Sequence, residues 1–260
     1  MEKKIEESIA LIRKAEKLAL ALSPEDGIFV SFSGGKDSVV MLDLVRRAGV
    51  KYTAYYMVTT IDPPESVRFI REYFPDVKWI HPKETFLQMI SRKGLPTMGI
   101  RYCCERLKEG QGAGHVVMTG VRASESKKRS KYKEVSIHSH RKEHADHHEV
   151  TIEGMMEAEH QCIKGKDKVL VYPILKWEAE EVWRYIRDRG LPLNPCYSEH
   201  KRVGCMFCPF ASKEDIEKFE RQYPKWKEAI LKNLRIFWSK REVHKWSSPE
   251  EYYEMWKLHK

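Results

Sequence analysis

The sequence has no hydrophobic run of the length that a membrane helix needs, and its hydrophobic share of 42% is typical of a globular protein. Its first residues are charged and include no apolar segment of the kind found in secretory signals. We therefore expect a cytoplasmic protein that does not insert into a membrane. Asn and Gln are scarce whereas Lys and Glu are abundant, which is typical of thermophilic proteins.

The six cysteines are not expected to form a disulfide framework, because no export signal is visible. In a reducing compartment such cysteines are better interpreted as metal ligands or redox groups. The net charge of +9 favours acidic partners, namely nucleotides, nucleic acids or both. A chain of 260 residues can bury one good core and a small appendage.

Short apolar runs alternate with helical patterns along the chain. The sequence predicts strands at residues 28–32, 52–60, 77–81 and 116–119. It predicts helices at residues 3–22, 38–48, 66–73 and 178–188. This alternation predicts an α/β fold with a parallel sheet and flanking helices, and such sheets bind ligands at the carboxyl ends of their strands.

Two parts of the chain depart from this alternation. Residues 134–168 are polar and His-rich, so we expect an insertion or a β excursion within a domain of residues 1–210. Residues 211–260 predict a C-terminal extension of two or three basic helices. The histidines of the insertion match no zinc-ligand spacing, so we interpret them as a solvated surface. They are His138, His140, His144, His147, His148 and His160.

A Gly-rich turn carrying a lysine connects the first predicted strand to the next helix. Its residues are Ser33, Gly34, Gly35, Lys36, Asp37 and Ser38. Successive backbone N–H groups before a helix N-terminus form an anion site, to which the lysine adds a full positive charge. The spacing is not that of a Walker A loop. The carboxylate at Asp37 suggests Mg²⁺ ligation or helix capping.

A second basic segment follows the strand predicted at residues 116–119. After Gly120, Arg122 and Arg129 could hold phosphate or sulfate through bidentate hydrogen bonds. Several lysines crowd the same segment, so a solvated basic loop is the alternative interpretation. Thr60, at the end of the second predicted strand, is expected to line the nucleotide pocket.

Four cysteines form two pairs, which are enough for one metal centre. Cys103 and Cys104 are adjacent, and Cys205 and Cys208 form a C-x-x-C motif. Adjacent cysteines fit tetrahedral zinc poorly, whereas a cluster with separated irons accepts neighbouring thiolates. We therefore expect a [4Fe–4S] cluster, with zinc as the alternative.

Two cysteines stand alone in the sequence. Cys196 lies beside an Asn-Pro pair, and Cys162 lies in the polar segment. We expect a structural role for each of them. Cys196 is the stronger candidate for a catalytic thiol that carries a persulfide.

The turn SGGKDS resembles the PP-loop of the ATP pyrophosphatases, which have the Rossmann-like adenine nucleotide alpha hydrolase fold. The string GVRASES at residues 120–126, the later Arg129 and residues 172–175 and 191–195 resemble the PAPS reductase family within that superfamily. The paired cysteines resemble its iron–sulfur branch. Together the likeness covers roughly residues 25–210.

The resemblance implies an adenine nucleotide as cofactor: ATP, or APS or PAPS, bound with Mg²⁺. ATP would be cleaved between its α- and β-phosphates, and AMP would pass to an oxygen of the substrate. Lys36, Asp37, Arg122 and Cys196 are the candidates for catalytic roles. The remaining loop residues, Thr60, Gly120 and Arg129 are the further candidates for nucleotide binding.

The sequence departs from the sulfonucleotide reductases of this family in two ways. No cysteine follows Cys208, although those enzymes carry a catalytic cysteine near the C-terminus, and the loop is intact where theirs is degenerate. We therefore expect an adenylating sulfurtransferase that modifies nucleic acid, tRNA or DNA, and that takes sulfur from a donor protein. The alternatives are an APS or PAPS reductase served by a thiol reductant protein, and a non-catalytic nucleic-acid-binding or cluster-sensor protein. The sequence leaves a homodimer open.

Overall fold

A computed structural model describes residues 1–138, 148–157, 163 and 167–259 of the chain. Within these residues one sheet contains strands in the order β3-β2-β1-β4-β7-β5-β6. The strands are β1 (Ile28–Phe32), β2 (Tyr52–Met57), β3 (Lys78–Ile80), β4 (Val116–Thr119), β5 (Val135–His138), β6 (His148–Glu149) and β7 (Lys168–Val171).

The helices of the described residues come before, between and after these strands. They are α1 (Glu2–Leu22), α2 (Lys36–Ala48), α3 (Pro64–Tyr73), α4 (Phe86–Lys93), α5 (Tyr102–Cys104), α6 (Ile152–Glu157), α7 (Ala179–Arg189), α8 (Lys213–Gln222), α9 (Pro224–Ser239) and α10 (Pro249–His259). A π-helical turn, Glu105–Glu109, continues α5. None of these helices is long and apolar enough to cross a membrane.

The centre of the sheet is parallel, as the sequence predicts. β1 pairs in parallel with β2 and β4, β3 pairs in parallel with β2, and β7 pairs in parallel with β4. β5 runs antiparallel to β7 and β6, so the sheet is mixed at this end. The strand β5 therefore brings part of the segment predicted as an insertion into the main sheet.

One hydrophobic core lies between the sheet and the helices α1, α2 and α7. Ile12 and Leu18 of α1, Val40 of α2 and Val30 of β1 are fully buried in it. The apolar residues of α1 recur at helical spacing, which explains why this helix buries one face. α2 ends at Gly49, whose φ of 70° suits glycine at the helix C-terminus.

A second hydrophobic cluster joins α4 and α5 to the C-terminal helices. Phe86 and Ile90 of α4 pack with Phe207, Leu234 of α9 and Trp256 of α10. Cys103 and Ile61 also belong to this cluster. The basic helices predicted after residue 211 therefore pack against the segment that carries the first cysteine pair. They also pack against the C-x-x-C segment that carries the second pair.

Candidate functional site

The Gly-rich turn lies at the carboxyl end of β1, directly before α2. Gly34 has a φ of 70°, and a Cβ there would lie 2.9 Å from a side-chain carbon of Ile70, so both conformation and space require glycine. Gly35 is the N-cap of α2 in extended conformation with a φ of −82°, which does not require glycine. The turn thus presents the N-terminus of α2 at the edge where parallel sheets bind ligands.

The hydroxyl groups of the turn bond within it. The Ser38 hydroxyl donates to the Gly35 carbonyl at 2.8 Å and lies 3.1 Å from the Ser33 hydroxyl. The backbone N–H of Ser33 also donates to the Ser38 hydroxyl, at 3.3 Å. These bonds fix the shape of the turn, and the predicted contact of both serines with a nucleotide stays a prediction.

A segment from distant sequence, Asn194 to Tyr197, braces the turn. The Tyr197 hydroxyl accepts a hydrogen bond from the Lys36 backbone N–H at 2.9 Å, and the Asn194 amide donates to the Gly34 carbonyl at 3.1 Å. Burial raises the pKa of Tyr197 to about 12. Sequence reasoning named neither side chain as a site residue. The only signal was the Asn-Pro pair shortly before the C-x-x-C motif.

An ion network surrounds the turn. Asp37 bridges two cations, since its carboxylate oxygens lie 2.5 Å from Lys36 Nζ and 2.6 Å from Arg122 Nε. Glu125 lies 3.9 Å from Arg122 and forms a second ion pair with Arg129. Within this network, three cations against two carboxylates leave one net positive charge. The structure therefore brings together the loop and both predicted arginines.

Gly120 makes this network possible. A Cβ at Gly120 would lie 2.8 Å from the carbonyl carbon and oxygen of Asp37, so the end of β4 can approach the start of α2 only through glycine. This close approach brings the side chain of Arg122, which is 5% exposed, within hydrogen-bonding distance of Asp37. The structure thus gives Gly120 a packing role, and its predicted contact with a nucleotide stays a prediction.

A strained turn, residues 59–62, follows β2. Thr60 has a φ of 61°, which is costly for a residue with a β-branched side chain. Its hydroxyl accepts a hydrogen bond from the Phe86 N–H at 2.9 Å, and Asp62 accepts one from the Thr59 N–H at 2.9 Å. The second strand therefore ends at Met57, before the limit predicted from the sequence. The prediction that Thr60 lines the nucleotide pocket stays a prediction.

The same turn holds the C-x-x-C segment. The Met206 N–H donates to the Ile61 carbonyl at 3.0 Å, and the Cys205 thiol donates to the Thr59 hydroxyl at 3.5 Å. Because β1 and β2 are paired neighbours, the second cysteine pair is anchored at the end of the strand beside the Gly-rich turn.

The two cysteine pairs interact electrostatically. A hydrogen bond from Cys103 lowers the pKa of Cys104 to about 6, and the same bond raises the pKa of Cys103. The charges of Cys205 and Cys208 raise the pKa of Cys103 further. Cys103 is 8% exposed, whereas the other three thiols are half-buried.

Lys108 is a cation of this region that sequence reasoning missed. The nearby thiolate of Cys205 raises its pKa, and Asp62 and Cys104 act in the same direction. Burial raises the pKa of Cys205, and Lys108 opposes that effect. Lys108 therefore supplies positive charge to a group of thiols, and its place four residues after Cys104 was the only signal in the sequence.

Four thiols form a donor set that fits the cysteine ligation of a [4Fe–4S] cluster, and sulfur ligands also suit zinc. Within the described ranges, no three His, Cys, Asp or Glu side chains are already arranged as a metal-binding group. The expectation of a cluster, with zinc as the alternative, therefore stays a prediction. Cys162 and His140, His144, His147 and His160 lie outside the described residues.

Cys196 lies close to the turn but is poorly suited to act as a nucleophile. It is 8% exposed, and its sulfur lies 3.3 Å from the Ser66 hydroxyl. Burial raises its pKa, so the thiol is neutral near pH 7. This environment favours the structural interpretation of Cys196 over its role as a persulfide carrier.

Comparison with known proteins places the chain in a family. The sequence profile described as "Phosphoadenosine phosphosulfate reductase domain" matches residues 27–211. An adenosine 5′-phosphosulfate reductase of Bacillus cereus is 24% identical over 197 residues, which are 71% of this chain and 74% of that protein. An FMN adenylyltransferase of Candida glabrata, solved with FMN and AMPCPP, has a similar fold with a TM-score of 0.50 and 14% identity. That match covers 78% of this chain and 63% of that one.

An uncharacterized protein of Methanocaldococcus jannaschii is 25% identical over 242 residues, which are 84% of this chain. The chain spans 45% of that protein and 58% of a second one from the same organism, about half the length of these relatives. The family profile covers most of the chain, including the loop and both cysteine pairs. The chain therefore belongs to the phosphoadenosine phosphosulfate reductase domain family.

Proposed function

We propose that the protein is an adenylating sulfurtransferase whose acceptor is a nucleic acid. The observation that supports the proposal is that the Gly-rich turn and the C-x-x-C segment lie at the ends of neighbouring parallel strands. The loop follows β1, and Cys205 is bonded to Thr59 at the end of the neighbouring strand β2. An adenylation site and a sulfur-handling site would need this proximity, because the activated carbon must be attacked before water reaches it.

In the proposed reaction an oxygen of the acceptor attacks the α-phosphorus of ATP and pyrophosphate leaves. The turn and the N-terminus of α2 would hold the departing phosphates, and Lys36 would stabilise the charge that develops on them. Sulfide-level sulfur would then attack the adenylated carbon, and AMP would leave with the oxygen.

The two arginines would have different tasks in this reaction. Arg122 is already bonded to Asp37 and the Ser124 hydroxyl, so it would position the loop more than bind the nucleotide. Arg129 has a side chain that is 35% exposed, so it could turn towards a phosphate. Mg²⁺ at Asp37 would require its carboxylate to release Lys36 or Arg122.

Cys103, Cys104, Cys205 and Cys208 would hold the [4Fe–4S] cluster. Because four thiolates would occupy all four irons, one thiolate would have to leave its iron before the bound cluster could supply a site for sulfide. Lys108 would contribute positive charge beside the bound sulfurs. Cys103 is the most buried of the four thiols, so its side would be shielded from water.

The likeness to an adenosine 5′-phosphosulfate reductase favours a second candidate, reduction of APS or PAPS to sulfite. That reaction needs a nucleophilic thiol. Cys196 is buried and neutral, so the thiol would have to come from a partner protein. Sulfite release from APS in the presence of a thiol reductant would favour this candidate.

Pyrophosphate release from ATP, measured on anaerobically purified protein with tRNA and with DNA, tests the adenylation step. Lys36→Ala should reduce release by at least about 100-fold, because loss of one charge-stabilising donor costs about 10²–10³ in rate. Lys17→Ala, which removes an exposed lysine of α1, is the matched control. Unchanged release from Lys36→Ala protein would refute the proposed role of the loop.

A further inference from the structure

The C-terminal helices expose a group of aromatic and basic side chains that the site above does not use. We call residues 237–246, which run from the end of α9 towards α10, the aromatic–basic patch. It contains the aromatic rings of Phe237, Trp238, His244 and Trp246 and the cations of Lys240, Arg241 and Lys245.

The aromatic residues of the C-terminal region divide into two sets. Trp256 is 4% exposed in the second hydrophobic cluster, and Trp226 packs against that cluster. Trp238 and Trp246 are half-buried instead, and neither is part of the cluster. Packing of the helices therefore explains the first two tryptophans and leaves the other two partly exposed at the surface.

Each aromatic ring of the patch is paired with a nitrogen-bearing side chain. Trp238 and His244 stack at 3.8 Å with an interplanar angle of 4°. The Arg241 guanidinium lies 4.3 Å from the Phe237 ring centre, and the Lys245 ammonium lies 4.8 Å from that of Trp246. These pairs hold flat rings and positive charges beside one another.

The charge of the patch is predominantly positive. Lys240, Arg241 and Lys245 are exposed, and within the described residues none of them forms an ion pair. Glu242 is the only acidic side chain between residues 237 and 246. Exposed cations without carboxylate partners attract a polyanion, and interleaved aromatic rings provide platforms for unpaired bases.

The patch is joined to the first cysteine pair by direct contacts. Phe237 packs on Gly94, where a Cβ would lie 2.9 Å from the ring. The Gly94 carbonyl accepts a hydrogen bond from the Tyr102 hydroxyl, and Tyr102 immediately precedes Cys103. A nucleic acid bound at the patch would therefore lie on the same second hydrophobic cluster that holds the first cysteine pair.

We infer that the aromatic–basic patch binds single-stranded nucleic acid, with bases stacked on Trp238 and Trp246 and phosphates held by Lys240, Arg241 and Lys245. A duplex would bind less well, because its bases are already stacked on one another. The inference rests on the proposed function and deepens it, because it assigns the surface that would hold the nucleic-acid acceptor. The binding itself requires no ATP.

Binding of a labelled single-stranded RNA of about 12 nucleotides, followed by fluorescence anisotropy, tests the inference. Trp246→Ala should weaken binding by about 10-fold, because stacking contributes about 1–3 kcal/mol per base. Trp246→Phe should retain most of the affinity, since it keeps a ring. Thermal unfolding of both variants checks that they fold.

The charged part of the patch is tested by combining Lys240→Gln, Arg241→Gln and Lys245→Gln. The slope of log affinity against log salt should become shallower by about 2, since each phosphate contact on a single strand contributes about 0.7. Lys3→Gln, Lys17→Gln and Arg187→Gln together remove the same charge from α1 and α7 and serve as the matched control. Equal loss of binding in both triple variants would show that net charge alone attracts the RNA, and would overturn the inference.

Single-stranded DNA and duplex RNA of the same sequence identify the ligand. Tighter binding of single-stranded RNA or of single-stranded DNA would show which sugar the patch prefers. If duplex RNA bound as tightly as the single strands, base stacking on the tryptophans would be refuted. Lys36→Ala protein should bind the RNA as wild type does. Suppose that the wild-type protein binds RNA through the patch but releases no pyrophosphate. The proposed reaction then fails and the inference stands. If the wild type releases pyrophosphate but patch variants bind RNA normally, the inference fails alone.

Discussion

The Nε atom of Arg122 lies 2.6 Å from a carboxylate oxygen of Asp37, although 85 positions separate the two residues. The other oxygen of Asp37 lies 2.5 Å from Lys36 Nζ. Lys36, Asp37 and Arg122 are therefore already paired with one another before a nucleotide binds. A phosphate group that binds the loop must compete with Asp37 for these cations.

Asp37→Asn should destabilise the protein in the absence of nucleotide. Arg122 is buried, and loss of its carboxylate partner should lower the free energy of unfolding by about 2–3 kcal/mol. For a chain of this size the melting temperature should fall by about 4–12 °C. Thermal unfolding in a nucleotide-free, EDTA-containing buffer measures the change.

Asp76→Asn is the control for Asp37→Asn, because its partner Arg46 is exposed and such pairs contribute about 1 kcal/mol or less. Pyrophosphate should stabilise the Asp37→Asn protein more than the wild type, since the anion replaces the missing carboxylate. Equal melting temperatures for the two variants would show that Arg122 does not depend on Asp37.

Much of the parallel core follows from local sequence pattern. β1 and β4 have the limits that the apolar runs at residues 28–32 and 116–119 predict, and α2 begins two residues earlier than predicted. Buried parallel strands are continuous apolar runs, so their ends are visible where polar loops begin. The turn at Ser33 was identifiable for the same reason.

Other elements lacked a signal of that strength. β7 was missed because its first residue is a lysine, which is unusual in a buried strand. In the structure the Lys168 ammonium donates hydrogen bonds to the backbone carbonyls of residues 109 and 111, so the charge is accommodated. α4 was missed because it is only eight residues long, although Thr85 and Gln88 form a capping box at its start.

The site was predictable one segment at a time but not as an assembly. The contact of Tyr197 with Lys36 and that of Cys205 with Thr59 join positions more than 140 residues apart. No local periodicity encodes such contacts, since they depend on how the strand ends are ordered across the sheet.

Tyr197→Phe should increase the affinity for ATP by a few-fold. In the free protein the Tyr197 hydroxyl occupies the Lys36 N–H, which is a donor that a phosphate oxygen could use. Removal of this competitor is worth about 1 kcal/mol, or about fivefold in the dissociation constant. Isothermal titration with ATP measures the change, and Tyr73→Phe at an exposed tyrosine is the control. Weaker binding would indicate that the hydroxyl itself contacts the nucleotide.

Cys103→Ala should remove the metal centre. Protein purified without oxygen should contain iron and sulfide and show a broad visible absorption band, and the variant should lose all three. Cys196→Ala is the matched control, because it removes a buried thiol that does not belong to the two pairs. A colourless wild-type protein that contains zinc would contradict the cluster and support the alternative.

Cys196→Ser should leave pyrophosphate release and sulfur transfer within about twofold of the wild type. Burial raises the pKa of Cys196 above the usual value of about 8.5, so the neutral thiol stabilises the folded state below that pH. This contribution is lost as the pH rises through the raised pKa, because the unfolded chain ionises first.

Alkylation of Cys196 by iodoacetamide, followed by mass spectrometry, should therefore be slow in native protein at pH 8 and fast in denaturant. Ser66→Ala should not accelerate it at pH 8, because the Ser66 hydroxyl, 3.3 Å from the sulfur, favours the thiolate while burial keeps the thiol protonated. Rapid alkylation of native protein, together with loss of sulfur transfer in Cys196→Ser, would instead identify Cys196 as the thiol that carries sulfur. The cysteine pairs would then serve a purely structural metal.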